Sequence, residues 1–409
     1  MSRQIDVPFL VEPCEPVSFG PPKSASAGEA HRIGTQFPPS PQTFQGLVRS
    51  RLLHGAEPAL DFNGPRAKSE IAQLVGTPQE LPRGWQLTGP FPAQRIRPST
   101  NDADSLPFIR PWLPTPQYIL KAAAGALHAR EVISTHAALS DLHSATPGPA
   151  LGRPEAGAME PRGGWIGPDN LRFALGGEGK YSWNNGQWRA DQPPFVSREH
   201  QPGLAIDRDS ASAQHGMLYF VEALRFEYDS GLFGQLRASL DDRLQAQALT
   251  QGAGQAGRKG RLVAFGPAEH LDPTWHSILR GEHLPQRVDD GACFWLVAIT
   301  PALIDNPLQP EHHALLKDGM RLDFLAALTG RSFAVGGFEL ATGRPRDNRA
   351  YLPAGSAWLI RLHGGSAEGR RDALFNLHNR HALGPEREAA MGFGHCLVGI
   401  GPLTKMERS

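Results

Sequence analysis

The chain has 409 residues, 40% of them hydrophobic, which is enough for two domains and a substantial buried core. Its 41 Lys and Arg balance 41 Asp and Glu, so no global basic field advertises a nucleic-acid partner. Cys14, Cys293 and Cys396 are too few and too scattered for a disulfide framework or a zinc site, and the longest apolar run, Cys293 to Ile299, is too short to span a membrane.

Three finer features of composition matter. Gly (45) and Pro (37) make up about a fifth of the chain, which fits a folded protein with long loops and falls short of wholesale disorder. Only seven cations are Lys, and Arg suits bidentate phosphate contacts and base stacking, although codon bias alone gives the same excess. The opening Met1-Ser2-Arg3-Gln4-Ile5-Asp6 lacks the apolar segment of a signal peptide, so a reducing cytoplasm is expected.

In chain order, Ile5 to Phe19 reads as a first strand and Gly20 to Gly34 as a loop carrying Glu29, His31 and Arg32. Pro38, Pro39 and Pro41 enforce extended backbone before a helix that starts at Thr43. Phe44, Leu47, Val48, Leu52 and Leu53 recur at three- and four-residue spacing, so one face of that helix is core; Arg49 lies off the stripe. Strand, loop and helix in this order open a ferredoxin-like or RNA-recognition-type unit. From Gly55 to about Gln201 runs a long proline-punctuated insertion with a helical patch near Gln117 to Leu142. Within it, Thr146 to Arg162 is rich enough in Gly, Pro and Ala to read as a mobile loop.

A fresh strand signal begins at Gly216, which places a domain boundary near residue 210. Thr250 to Gly260 reads as a linker. Strands are expected at Arg261–Phe265, Ala292–Ile299, Phe333–Leu340, Ala357–Leu362 and Cys396–Gly401, with helices near His313–Leu328 and Ala373–Leu377. The fold class is therefore α+β, two tandem ferredoxin-like domains with long insertions, residues 1–210 and 211–409, the insertion covering about 55–200.

Tests for chemistry return little. Gly252, Gly254 and Gly257 match GxGxxG but do not follow a strand, so the dinucleotide fingerprint lacks its context. No GxxxxGK[ST], HExxH, GxSxG or CxxC is present. Asp102 with Asp104, and the pairs Asp241-Asp242 and Asp289-Asp290, sit in polar stretches that read as solvated charge. His312 and His313 are adjacent and point to different faces, so no metal or cofactor is expected.

Glycine loops offer more. Gly176, Gly177 and Gly179 let backbone N–H groups approach a phosphate, with Glu178 between them and Lys180 adding charge. Gly392, Phe393, Gly394 and His395 offer the same access plus two rings on which bases stack. Tight turns alone would also explain these glycines.

Together, Phe37-Pro38-Pro39-Ser40-Pro41-Gln42-Thr43, Leu175-Gly176-Gly177-Glu178-Gly179-Lys180, Gly203-Leu204-Ala205-Ile206-Asp207-Arg208, Gly336-Gly337-Phe338, Leu352-Pro353-Ala354-Gly355-Ser356 and Gly392-Phe393-Gly394 resemble the RAMP-superfamily third subunits of type III-B (Cmr) CRISPR effectors. The insertion from Gly55 to about Ala158 and the neutral net charge depart from that family's pattern. The resemblance implies a non-catalytic subunit that holds the 5′ repeat-derived tag of a guide RNA. It would dock a large polymerase-like subunit against backbone RAMP subunits, reaching target RNA indirectly and requiring no membrane. RNA contact is then expected at His31, Arg32, Arg49, Gly176, Gly177, Glu178, Gly179, Lys180, Asp207, Arg208, Gly392, Phe393, Gly394 and His395. An alternative is a metal-independent endoribonuclease that matures the guide, with His31 as general base.

Overall fold

A computed structural model describes residues 2–20, 32–62, 64, 66–77, 80–82, 84–97, 106–122, 127–129, 131–134, 149–152, 159–176, 182–206, 212–317, 319–339 and 344–401. It is strand-rich, with few helices and several sheets. The chain opens with β1 (Ser2–Pro13), α1 (Pro41–His54), α2 (Ala67–Val75), β2 (Gln86–Ile96) and β3 (Phe108–Pro111). Short strands of two to four residues then occur between 113 and 189, with α3 (Pro168–Gly176) among them. Next come β4 (Val196–Ile206), β5 (Ala213–Phe226), β6 (Ser230–Asp241), β7 (Ala253–Ala256), β8 (Arg261–Pro267) and α4 (Pro273–Leu279). The rest is β9 (Cys293–Ala298), β10 (Arg321–Leu328), β11 (Phe333–Glu339), β12 (Arg344–Tyr351), β13 (Ala357–His363), α5 (Ala367–Leu377), α6 (Glu386–Met391) and β14 (His395–Ile400).

Two antiparallel sheets organise these elements. The first runs β7-β8-β1-β6-β2-β3 and the second β10-β13-β9-β14, with the short strand Arg380–His381 at its edge. Numbering four adjacent strands of each by chain order gives the same sequence, 4-1-3-2, in both: β8-β1-β6-β2 and β14-β9-β13-β10.

The ends of α1 are set by local chemistry. Ser40 caps it, its Oγ accepting the Thr43 N–H at 3.2 Å, and Pro41 occupies the first turn, where its missing N–H costs nothing. Phe44, Leu47, Val48, Leu52 and Leu53 are all buried, as their spacing requires. Phe44 stacks on Phe9 of β1, ring centroids 5.8 Å apart. Alternation along β1 sends Phe9 to the α1 side and Leu10 to the opposite side. There Leu10, Phe91 and Phe233 meet Trp295, Val297, Leu359 and Leu397 of the second sheet, so both sheets share one core. Each such side chain contributes about 1.5–3 kcal/mol on burial. The far face of the second sheet packs Leu296, Ile360 and Val398 under Leu374 and Leu377 of α5.

Several expectations need correction. β1 pairs with β6 in ten successive register pairs, from Ser2↔Asp241 to Val11↔Leu232, so one sheet crosses the boundary expected at residue 210. Residues 253–256 of the expected linker are the edge strand β7, hydrogen-bonded to β8. Arg321 to Leu328, expected as helix, is strand β10: Leu and Ala favour helix, but pairing with β13 outweighs that small preference. The described residues of the expected helix at 117–142 form a turn and short strands instead, and those of 146–162 include the strands Pro149–Gly152 and Met159–Pro161. No helix among the described residues is long and apolar enough to cross a membrane.

Candidate nucleic-acid interface

Four of the quoted segments, 37–43, 336–338, 352–356 and 392–394, come together around residues 37–43 although they are far apart in sequence. Gln42 Nε2 donates to the Gly336 carbonyl at 3.1 Å, tying α1 to the β11–β12 hairpin. Phe37 packs on Trp165, centroids 5.3 Å apart. Beside them opens a cavity of about 410 Å³ walled by Pro38, Pro92, Trp112, Trp165, Phe333 and Pro353. Arg198 reaches its lining, but Glu222 pairs with it at 2.9 Å and also accepts the Thr35 N–H at 3.0 Å. Although partial burial pushes the Glu222 carboxyl up, these two donors hold it below the usual carboxylate range. The mouth is therefore charge-compensated and the cavity apolar.

The expected RNA-contacting residues divide into three sets. His31, Gly177, Glu178, Gly179, Lys180, Asp207 and Arg208 lie outside the described residues. Arg32 is exposed on the short strand Arg32–Ile33, which pairs in parallel with Phe220–Val221 of β5. Gly176 is the buried last residue of α3.

The third set is turned inward. Arg49 is half-buried and its Nη2 donates to the Gly76 carbonyl at 2.5 Å, fastening α1 to the turn after α2. Phe393 is 0% exposed and packs on Tyr351 at 4.5 Å, so its ring offers no face to a base. His395 is equally enclosed: its Nε2 meets Asn379 Oδ1 at 2.9 Å and its backbone N–H donates to Thr300 Oγ1. Gly392 ends α6 at φ +105°, where a Cβ would sit 2.9 Å from the Leu87 carbonyl oxygen, and a Cβ on Gly394 would collide with the Leu383 carbonyl. These glycines serve close packing, and the buried rings of Phe393 and His395 present no open face for a base.

Sequence reasoning missed a half-exposed aromatic group formed around Arg162. Trp183 and Trp188 flank the Arg162 guanidinium, whose Cζ lies 3.4 Å from the Trp188 ring centroid and 5.8 Å from that of Trp183. Trp188 pairs with Ile166 in the three-stranded sheet whose Trp165 and Leu113 wall the cavity. The available signal was density: three of eight tryptophans fall between 165 and 188. Among the described residues no group of three or more His, Cys, Asp or Glu could hold a metal. Asp241 is engaged by Arg243, and Asp290 accepts the Gly364 N–H. Asp102 and Asp104 lie outside the described residues.

A family model described as "CRISPR-associated protein (Cas_Cmr3)" matches residues 9–401. No curated protein matches the sequence. Among solved structures, chains from two cryo-EM structures of the type III-B Cmr-beta bound to cognate target RNA are similar, one of them also holding AMPPnP. Their identities are 13% and 11%, each with a TM-score of 0.40 and 86% of both chains covered.

Proposed function

The chain belongs to the Cas_Cmr3 family of CRISPR-associated proteins, whose model runs through both sheets, and from that premise we propose that it is a non-catalytic subunit of a type III-B effector. In this reading it binds the 5′ repeat-derived tag of the guide RNA and docks a large polymerase-like subunit against the backbone RAMP subunits, in the cytoplasm. The observation that carries the proposal is the extent of the family match, 9–401. The repeated 4-1-3-2 strand order supports it, because that order in an antiparallel sheet is the arrangement of a ferredoxin-like domain, here read twice. The duplication is uneven. The first unit keeps a helix between its strands one and two (α1), whereas the second keeps one between strands three and four (α5).

Phosphate contact in this reading falls to Lys180 and the neighbouring glycines, and to Arg32 on its exposed strand. The test is recovery of the tagged chain from its native cell with its RNA and protein partners, repeated for Lys180→Glu. Short RNAs sharing one 5′ tag, together with a large polymerase-like protein, are expected for the unaltered chain, and reduced guide retention for the variant. Recovery with full repeat precursors, plus metal-independent cleavage abolished by His31→Ala, would replace this reading with a guide-processing endoribonuclease.

A further inference from the structure

Phe173, Trp183, Arg162 and Trp188 form a column of planar groups at the surface. Phe173 of α3 meets Trp183 edge-on, centroids 5.7 Å apart and planes at 83°. The guanidinium lies over both indoles, in contact with the Trp188 ring and 5.8 Å from the Trp183 centroid. All four side chains are half-buried. Trp188 is fixed in place by its Nε1 donating to the Gly163 carbonyl at 3.0 Å.

Arg162 differs from the chain's other well-placed arginines in its surroundings. Arg97 is paired with Asp229, Arg110 with Asp272, Arg237 with Asp6 and Arg261 with Glu15. Among the described residues, no carboxylate pairs with Arg162 and no acceptor takes a hydrogen bond from its guanidinium; its Nε is buried without a partner. Partial burial lowers its pKa, and among the described residues no acidic neighbour offsets the effect. A partly desolvated cation without a counter-charge is stabilised by the arrival of an anion. Guanidinium matches phosphate through two parallel N–H bonds, and indole faces stack on any base. One ligand class carries both an anion and a planar ring in that proximity: a nucleotide.

We propose that the Phe173–Trp183–Arg162–Trp188 column is a nucleotide subsite for single-stranded RNA, in which Arg162 takes a backbone phosphate and the indoles stack the adjacent base. The proposal rests on the reading that this chain holds guide RNA. It adds a specific station that the glycine motifs did not suggest. In sequence, Trp183 follows closely on the end of α3 and on Lys180. Stacking without base-edge hydrogen bonds makes the station tolerant of sequence.

The experiment is photocrosslinking of 5-iodouridine-substituted guide RNA within the purified effector, read by mass spectrometry, alongside guide retention for Arg162→Met, Arg162→Lys and Lys180→Glu. Adducts on Trp183 or Trp188 are expected, with affinity lowered about tenfold by Arg162→Met and less by Arg162→Lys, which keeps charge but loses the plane. The salt dependence of binding should fall by about 0.7 in slope for Arg162→Met, the signature of one lost phosphate contact. Guide retention weakened by Lys180→Glu but untouched by either Arg162 variant, with no adduct on either indole, overturns the subsite and leaves the functional reading standing. An unaltered effector that holds no guide RNA overturns both. Equal melting temperatures for the variants and the unaltered chain exclude unfolding as the cause of any loss.

Discussion

His381 and His395 stack with ring centroids 4.6 Å apart, both buried, on the short strand Arg380–His381 and its neighbour β14. His378 and His283 form a second pair close by, 5.3 Å apart and edge to face. Burial dominates their chemistry, pushing His378 and His381 down to about 4 and His395 well below its ordinary value. Imidazoles this close and this dry stay neutral. Below pH 6.5 the unfolded chain therefore binds protons that the folded chain refuses, so stability is full above that pH and declines toward pH 4. The expected slope is roughly 1.4 kcal/mol per pH unit for each such group. Urea unfolding at pH 7.5 and pH 5.0 should show a midpoint markedly lower in acid, and equal midpoints would refute the neutral-cluster account.

Phe393 lies in the small core made with Val335, Tyr351 and Met391, where the Tyr351 hydroxyl donates to the buried Glu388 carboxylate at 2.8 Å. Removing the ring leaves a cavity that this hydrogen-bonded wall cannot collapse to fill. Phe393→Ala should cost about 3–5 kcal/mol of stability. RNA affinity per folded molecule should be unchanged, measured at a temperature where the variant remains folded. A selective loss of RNA binding with unaltered melting would restore the stacking role that burial denies it.

Arg49 gives a parallel case on α1. Its guanidinium hydrogen bond to the Gly76 carbonyl joins two helices that belong to one core, so Arg49→Met should lower stability by about 1.5–3 kcal/mol. Guide retention should not change. A salt slope reduced by the substitution, with full stability, would make Arg49 a phosphate contact after all.

What the sequence revealed follows from which interactions are local. Helix α1 was legible because its cap (Ser40), its first-turn Pro41 and its apolar spacing are all written within fourteen residues. β10 was not: Leu322, Leu325, Ala326 and Ala327 carry helix propensity, and the strand exists because β13 supplies partners thirty-odd residues later. The glycines at 392 and 394 were read as giving backbone access to phosphate; what lies close to them is the backbone of Leu87 and Leu383. No local pattern distinguishes a carbonyl of the same chain from a phosphate. Arg162 was passed over for the complementary reason, since the indoles it meets lie more than twenty residues further along the chain.

The shared first sheet makes a final prediction about the unit of folding. β1 has β6 on one side and β8 on the other, both drawn from residues beyond 228. A fragment 1–210 retains β1, β2 and α1 but loses the strand that lies between β1 and β2 in the sheet. It also exposes Phe9, Phe44, Val48 and Leu87, whose burial needs Leu232, Leu236 and Leu240. That fragment is expected to be aggregated or unfolded, with no cooperative thermal transition by circular dichroism, whereas 1–270, which restores β6 to β8, should recover strand content. A fragment 1–210 that melts cooperatively as a monomer would show that the N-terminal half closes its sheet without β6, against the register seen from Ser2 to Val11.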